Sequence, residues 1–169
     1  MAQITETERL FVREFNMQDI ESLQIILLNP EVMKYSFRNI NSIKDIENYI
    51  ENCLNNYKKY GFGQWAVVDK KTLQLIGICG LNSGFNDDNN IMHINCRFAK
   101  PFWGKGFANE IVKKIIEYAQ NQLKINKIYA LIEPENLKSI ALIKRLGFNY
   151  EKSSIYKKRK LDFYFRSLC

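Results

Sequence analysis

A chain of 169 residues, 46% of them hydrophobic and 25% charged, fits one domain over residues 1–169 with a single core. The net charge of +7 indicates an affinity for anions, but acidic residues are interleaved with the basic ones and no nucleic-acid-binding module is present, which disfavours nucleic acid as the main ligand. No stretch approaches the ~18 uninterrupted apolar residues of a membrane span, and the start lacks a basic region followed by an apolar one, so we expect a soluble, cytoplasmic protein.

Cysteine and histidine usage argues against metal and disulfide frameworks. The four cysteines, Cys53, Cys79, Cys96 and Cys169, are scattered without a C-x-x-C pair, and the chain has a single histidine. A zinc site needs about four such ligands at close spacing. We therefore expect reduced, mostly buried thiols and no metal.

The first half of the chain predicts one strand, two helices and a hairpin. Alternation predicts a strand at Arg9–Glu14, and apolar residues at helical spacing predict a helix from Met17 to about Asn29, capped by Asn16 and ended by Pro30. The remaining predicted elements are a helix after Ser42 to about Tyr60, closed by Gly61, and a hairpin of residues 63–69 and 73–81 across Lys70-Lys71-Thr72.

The second half alternates helices and strands. In chain order we predict a polar turn over 83–90, a strand over 91–99, a long helix to about Leu123, a strand over 127–132, a helix over 137–146 capped by Asn136, and paired strands over 148–152 and 160–168. This order predicts an α/β protein with a mixed sheet and helices on both faces.

The stretch from Pro101 to Glu110 carries the clearest chemical signal. Its glycines, Gly104 and Gly106, leave no Cβ between the main chain and a ligand, and an amphipathic helix begins immediately after them. The N–H groups and positive dipole end of that helix favour a phosphate. A dinucleotide fold would need glycine where Asn109 stands, and a Walker loop would need Ser or Thr directly after Lys105.

This stretch resembles the pyrophosphate loop of the GNAT superfamily of N-acetyltransferases, in its RimJ/RimL-like branch, which commonly reads W-G-K-G-[YF]-A-x-E. The preceding R-F-A-K at residues 97–100 and the later E-P-E-N-L-K-S at 133–139, leading to L-G-F at 146–148, are similar to further signatures of that branch. The more widespread loop, [QR]-x-x-G-x-[GA], is matched at Gly106 and Ala108 but has Trp103 in place of Gln or Arg.

The resemblance implies a fold and an activity. The fold is the GNAT acyl-CoA N-acyltransferase fold, a central twisted sheet of about seven mostly antiparallel strands with helices on both faces. The activity is transfer of an acetyl group from acetyl-CoA to a primary amine, on a protein N-terminus or a small molecule, by direct attack in a ternary complex. The alternative is a non-catalytic acyl-CoA-binding or interaction module on the same fold. An exposed last strand would also allow a homodimer.

The resemblance also implies which residues hold acetyl-CoA. The pyrophosphate would lie against the loop residues Trp103, Gly104, Lys105, Gly106, Phe107 and Ala108. Pantetheine would run along the strand end at Phe98 and Ala99 and contact Asn136 from the opposite side. The same Asn136 is also a helix cap, and the two roles are compatible.

Two residues are candidates for proton transfer. Ser139 is the branch's candidate acid for the departing thiolate, since Ile143 occupies the position where many other family members have a tyrosine. His93 stands where branch members often have Glu, and an imidazole could accept the proton of the amine through water. The alternatives are a local hydrogen bond for Ser139 and a structural role for His93.

The acceptor pocket of the family is built from the segment between the first two helices and the loop before the last strand, here Tyr35–Asn41 and Ser153–Lys160. Within and beside them, Tyr35, Phe37 and Trp65 are candidate substrate-binding residues, although all three could equally belong to the core. The cations at Lys157–Lys160 would suit an acidic acceptor or form a solvated loop.

Overall fold

The structure is a computed structural model that describes residues 2–85 and 88–169. Its strands are β1 (Gln3–Glu6), β2 (Leu10–Arg13), β3 (Gln64–Asp69), β4 (Leu75–Phe85), β5 (Asp88–Phe98), β6 (Lys127–Ile132), β7 (Asn149–Tyr156) and β8 (Arg159–Ser167). Its helices are α1 (Ile20–Leu27), α2 (Ile43–Tyr60), α3 (Phe107–Asn121) and α4 (Leu137–Arg145), with short 3-10 turns at Met17–Asp19 and Lys100–Phe102. No helix in the described ranges has the length and apolar character needed to cross a bilayer.

The strands form one sheet in the order β1-β2-β3-β4-β5-β6-β8-β7. Every neighbouring pair is antiparallel except β5 and β6, which are parallel and joined through the crossover helix α3. The mixed, mostly antiparallel sheet is thus confirmed, with eight strands instead of about seven. The additional strand is β1, which pairs with β2 at the edge of the sheet.

Local capping occurs at the predicted residues. Asn16 accepts a hydrogen bond from Gln18 N and forms a capping box with Asp19, and the Ser42 side chain accepts from Asp45 N. Asn16 caps the 3-10 turn, however, so the first α-helix is shorter than the predicted Met17 to Asn29 and runs from Ile20 to Leu27. Gly61 ends α2 in the left-handed region at φ 75°. These signals are local in the chain, which is why they can be identified without the fold.

Three loop predictions are wrong. The polar turn predicted over 83–90 is shorter, because β4 continues to Phe85 and β5 begins at Asp88; the two residues between them lie outside the described part. Leu73 belongs to the preceding turn with φ 60°, so β4 begins only at Leu75. The segment Ser153–Lys160 is not a loop but the end of β7, a tight turn at Lys157 and Lys158, both with positive φ, and the start of β8.

The last strand is not exposed either. The hairpin places β8 between β6 and β7, so the edges of the sheet are β1 and β7. The stretch 161–164 of β8 is buried. The structure therefore removes the surface on which a homodimer was expected, and oligomeric state stays a prediction without that support.

Hydrophobic cores lie on both faces of the sheet. One cluster packs α3 and α4 against strands β2 to β6, with Ile111, Ile115 and Ile128 completely buried. The other packs α1 and α2 against β3 and β4, through residues such as Leu23, Ile50 and Ile78. The helices on both faces are thus confirmed, and the strand ends between the two layers form the candidate site.

Candidate active site

The central feature of the site is a wedge between β5 and β6. These parallel strands form a single bridge, between His93 and Tyr129, and β5 then continues to Phe98 without another bridge to β6. We call this opening the β5–β6 wedge. Because hydrogen-bonded neighbours lie about 5 Å apart, strands that stop pairing leave room for a slender chain between them.

The main chain of β5 turns hydrogen-bonding groups toward the wedge. The N–H of Ala99 donates to the carbonyl of Ile76 at 2.9 Å, so the Phe98 carbonyl, on the opposite side of the same trans peptide, points away from β4. Trp103 Nε1 donates to that carbonyl at 2.8 Å. By strand alternation, the N–H and C=O of Cys96 also face the wedge.

The glycine loop leads directly from the wedge into α3. Gly104 and Gly106 have φ values of 72° and 79°, in the region that residues with a Cβ avoid. Within the described chain no side chain caps α3, so the N–H groups of residues 107–109 lack helical acceptors. Glu110 N is the first to bond back, to Gly106 O at 3.1 Å. This exposed helix N-terminus is suited to an anion.

Lys105 projects from the same loop. Its side chain is exposed, lies with Nζ 5.4 Å from the centroid of the Phe102 ring, and forms no ion pair with any described residue. An ammonium group without a carboxylate partner remains available for a phosphate. Lys105 thus fits the role assigned to it from the sequence.

Arg9, which sequence reasoning placed only in the first strand, holds this loop in position. Its Nε donates to Glu110 Oε2 at 2.7 Å, and its Nη1 donates to the carbonyl of Lys105 at 3.0 Å. The guanidinium also lies over the Phe107 ring, 4.4 Å from the centroid. The only signal for this contact in the sequence is the acidic residue in the first turn of α3.

Glu110 is the partner that keeps Arg9 in place. Besides the ion pair, it accepts hydrogen bonds from the Thr7 hydroxyl and from Arg9 N at 3.1 Å. Burial raises the pKa of Glu110, but the hydrogen bonds from Thr7 and Arg9 outweigh burial and hold that pKa below its ordinary value. The carboxylate therefore stays ionised at neutral pH.

The first turn of α4 forms the opposite side of the wedge. Asn136 Oδ1 accepts from Ser139 N at 3.4 Å, which confirms Asn136 as the helix cap. The half-buried Ser139 hydroxyl has no hydrogen-bond partner within the described residues. Lys138 Nζ lies 5.6 Å from the centroid of the Trp103 ring, so this turn and the glycine loop meet. Ile143 is buried in the core.

His93 stands at the closed end of the wedge. Its Nδ1 is buried without a hydrogen-bond partner among the described residues. Burial lowers the pKa of His93 from an ordinary value near 6.5 to about 4; the Ile91 backbone opposes this effect and Arg38 adds to it. The imidazole is consequently neutral at physiological pH.

His93 belongs to a group of polar residues on the sheet face that α1 and α2 cover. Strand alternation puts them on that face, and we call them the polar wall: Gln64, His93, Asn95 and Arg97. Gln64 is 4% exposed, yet neither of its amide atoms has a partner among described residues, and the same holds for Asn95 Oδ1. Gln64 and Asn95 both pair with Gly80, which contributes no side chain between them. Of these four residues, only His93 is identified as a candidate from the sequence, which has no local signal for the other three.

The segment between α1 and α2 reaches across to the second side of the wedge. The Tyr35 hydroxyl donates to the Glu135 carbonyl, just before α4, at 3.3 Å. Phe37 packs edge to face with Tyr156 at 5.0 Å, and the Arg159 guanidinium lies 4.2 Å from its centroid. The structure therefore brings Tyr35 to the wedge and Phe37 to a neighbouring apolar cluster.

Trp65 does not join these residues. It is 1% exposed, belongs to the core that α3 and α4 cover, and packs at 86° against Tyr118 with centroids 5.6 Å apart. For Trp65 the structure supports the core alternative instead of an acceptor wall. Among residues 2–85 and 88–169, no three His, Cys, Asp or Glu side chains are grouped to hold a metal ion.

Comparison with known proteins shows which family this chain matches. Residues 9–149 match the family model described as Acetyltransferase (GNAT) domain. An uncharacterized N-acetyltransferase, p20 of Bacillus licheniformis, is 34% identical over 172 residues, which cover 96% of this chain and 93% of that protein.

Solved structures share the fold. A spermidine N-acetyltransferase from Vibrio cholerae, in complex with CoA and spermine, superposes with a TM-score of 0.80 at 20% identity, covering 96% of this chain and 97% of that one. A RimL ribosomal L7/L12 α-N-protein acetyltransferase in complex with coenzyme A superposes with a TM-score of 0.83 at 15% identity, covering 98% of each chain. The two relatives act on acceptors as different as a polyamine and a protein.

Proposed function

Because the chain belongs to the GNAT family of N-acetyltransferases, we propose that it transfers the acetyl group of acetyl-CoA to a primary amine of a protein N-terminus or a small molecule. One observation carries the proposal: the uncapped N-terminus of α3, behind two glycines with positive φ, opens onto the unbridged part of β5. The first feature suits a pyrophosphate and the second suits a thin, amide-bearing chain such as pantetheine.

The described residues fit acetyl-CoA in detail. The main chain of 103–108 with Lys105 would hold the pyrophosphate, while the wedge-facing groups of Phe98 and the side chain of Asn136 would hold pantetheine. The Phe98 carbonyl already accepts from Trp103, and its second lone pair remains for a ligand. Ala99 uses its own N–H for β4, so of this pair Phe98 is the better candidate for a main-chain contact.

The proposed reaction needs two proton transfers. The amine nitrogen bonds to the thioester carbon, the C–S bond breaks, the nitrogen loses a proton and the thiolate gains one. Ser139 is the proposed donor to the thiolate, supported by its free hydroxyl on the second side of the wedge. His93 is the proposed acceptor through water, supported by its neutral imidazole at the closed end, although a pKa of about 4 makes it a weak base.

Release of free thiol from acetyl-CoA tests the proposal. Acetyl-CoA binding is measured by calorimetry, and thiol release is followed over a panel of N-terminal peptides, amino acids and polyamines. We expect binding and turnover on at least one acceptor. Binding without turnover on any acceptor would favour a non-catalytic acyl-CoA-binding module, and absence of binding would contradict the proposed site.

Replacing Ser139 by Ala tests its role as the acid. We expect kcat to fall by about 10²-fold or more, since general acid catalysis contributes roughly that much, while the Kd for acetyl-CoA changes little. Ser167→Ala, at an exposed position of β8, is the control and should match the wild type. Unchanged kcat in Ser139→Ala would remove Ser139 from the mechanism.

A further inference from the structure

From the polar wall and the arginine above it, we infer that the acceptor is an amine with a carboxylate a few bonds from its amino group. This inference rests on the proposed acetyl transfer and specifies its second substrate. The wall lies on the sheet face opposite the core of α3 and α4, with Gln64 on β3 and its other three residues on β5. The three β5 residues are half-buried, unlike Gln64, so an acceptor that reaches β5 from the α1–α2 side would meet His93, Asn95 and Arg97.

Several polar atoms of the wall lack hydrogen-bond partners among the described residues. Both amide atoms of Gln64, the Nδ1 of His93 and the Oδ1 of Asn95 are buried and make no hydrogen bond to any described residue. A buried polar atom left unpaired costs about 1–3 kcal/mol, so several together at one place indicate a surface that a polar ligand completes.

Two arginines at the wall carry positive charge without a carboxylate partner in the described part of the chain. Arg97 donates from Nη1 to the sulfur of Met33 at 2.9 Å, a weak acceptor, and burial lowers its pKa. Arg38 lies above the same region, with its guanidinium 5.2 Å from the Tyr49 ring centroid. Within the described residues, neither arginine forms an ion pair with a carboxylate. Arg38 is exposed, but Arg97 is half-buried, and a guanidinium largely withdrawn from water ordinarily has a carboxylate partner, which the acceptor would supply.

The spacing of the wall residues along β5 sets the distance between the two groups of the acceptor. Asn95 and Arg97 are two residues apart on one face of β5, which corresponds to about 7 Å along the strand. An amine held beside Asn95, next to the start of the wedge, and a carboxylate held by Arg97 and Arg38 would then be a few covalent bonds apart. Free ω-amino acids and peptides with an acidic second residue both have this chemistry.

Polyamines fit the same surface poorly. A polycation needs several unpaired carboxylates. Of the neighbouring acidic residues, Glu133 and Glu31 are paired with Arg159 and Lys100, and the exposed Glu135 is a single carboxylate without an ion pair among the described residues. Arg97 and Arg38 would repel a second ammonium group at short range. The wall thus favours an acceptor unlike the spermine bound by the Vibrio cholerae relative.

Matched acceptors test the inference through kcat/KM in the thiol-release assay. The pairs are 4-aminobutyrate with 4-aminobutyramide, and C-terminally amidated peptides starting Ser-Glu or Ser-Gln; spermidine is the contrast. We expect the kcat/KM of at least one acid to exceed that of its amide by tenfold or more, and the preferred pair identifies a small molecule or a peptide as the source of the carboxylate.

Equal kcat/KM for acid and amide in both pairs, or spermidine as the best acceptor, would overturn the inference while leaving acetyl transfer intact. No turnover on any acceptor would instead contradict the proposed function.

Arginine variants connect the preference to the residues. Arg38→Gln, at an exposed position, and Arg97→Gln should each reduce the acid-to-amide ratio by about fivefold or more without changing the Kd for acetyl-CoA. Lys71→Gln, an equal loss of charge in the β3–β4 turn, should leave the ratio unchanged. Because Arg97→Gln could destabilise the core, Arg97→Lys, which keeps a cation, serves as the second variant and should retain the preference. An unchanged ratio in Arg38→Gln together with a lost preference in Arg97→Lys would contradict a charge-based site.

Discussion

Arg9 joins positions 101 residues apart in the chain, and no local pattern reveals that contact. Its hydrogen bonds to Glu110 and to the Lys105 carbonyl fix the start of α3 and the loop before it. A loop with two positive-φ glycines has many accessible conformations when free. We therefore expect Arg9 to contribute to the proposed acetyl-CoA affinity by limiting those conformations before binding.

Arg9→Gln should weaken acetyl-CoA binding with little effect on the chemical step. We expect the Kd to rise about tenfold, which corresponds to about 1.4 kcal/mol, because the loop would have to be ordered at the expense of binding. Calorimetric titration with acetyl-CoA measures the change, and kcat at saturating acetyl-CoA checks the chemistry.

Lys70 provides the matched control for Arg9. It pairs with Glu6 at 2.9 Å and donates to the Thr7 carbonyl, and so holds the same N-terminal segment, but within the described residues it forms no hydrogen bond or ion pair with residues 103–110. Lys70→Gln should leave the Kd for acetyl-CoA unchanged. An equal loss of affinity in both variants would show that the segment, and not the contact of Arg9 with the loop, determines binding.

His93 should make the stability of the protein depend on pH. In the unfolded chain the imidazole titrates near 6.5, and in the folded protein the pKa is about 4. Between these values the unfolded state binds more protons, so stability decreases as the pH falls through this window. The expected loss attributable to His93 between pH 7.5 and pH 5 is about 2 kcal/mol in the free energy of unfolding.

Urea unfolding of the wild type and of His93→Gln at both pH values isolates this contribution, because carboxylates titrate alike in the two proteins. The wild type should lose about 2 kcal/mol more than the variant on acidification. If the two proteins lose the same free energy of unfolding, the imidazole is not held neutral by burial. In the rate profile, an acidic limb that disappears in His93→Gln would support His93 as the base.

At the scale of elements, the effect of the glycine loop on acetyl-CoA affinity can be distinguished from the effect of backbone strain on stability. Gly104 and Gly61 have nearly the same φ, 72° and 75°, and a Cβ on either meets no atom within 4 Å. Alanine at either position should cost about 1–2 kcal/mol in stability for the left-handed conformation. Only Gly104→Ala should also lower acetyl-CoA affinity, by about tenfold, since Gly61 ends α2 away from the loop. Thermal unfolding and calorimetry measure the two effects.

A parallel loss of affinity in Gly61→Ala would mean that general destabilisation, and not the loop backbone, weakens binding. If Gly104→Ala binds acetyl-CoA as tightly as the wild type does, the site does not require the positive φ of Gly104. The pair is informative because the two substitutions impose the same strain on different elements.

The elements also show which features are readable from sequence. Helix caps such as Asn16, Ser42 and Asn136 act within four residues, so their signals survive without knowledge of the fold. The pairing of the last two strands is predicted correctly, but the tight turn between β7 and β8 is not, because Lys157 and Lys158 are not typical residues for positive φ. Glycine or asparagine there would have predicted a two-residue turn.

At the scale of the whole molecule, the wedge and the polar wall depend on which strands are neighbours in the sheet, and the order of the elements along the chain does not reveal this. The glycine loop could be identified from its motif, but the wedge requires β5 and β6 to be parallel neighbours that part after one bridge. The polar wall requires β3, β4 and β5 in register, and Gln64 and Asn95 are 31 positions apart. The role of Trp65, in the acceptor pocket or in the core, cannot be decided from the sequence for the same reason. Alternation predicts which residues of a strand share a face, but it does not predict which helices cover that face.

The wedge has a consequence for solubility. A strand with unused N–H and C=O groups at the rim of a sheet is a template on which another protein molecule can add its own strand. In this protein the unused stretch of β5 lies inside the sheet, between β4 and β6, where neighbouring molecules have no flat rim to extend. The molecule can thus keep unsatisfied main-chain groups ready for a ligand without the aggregation hazard that the same groups would carry on β1 or β7.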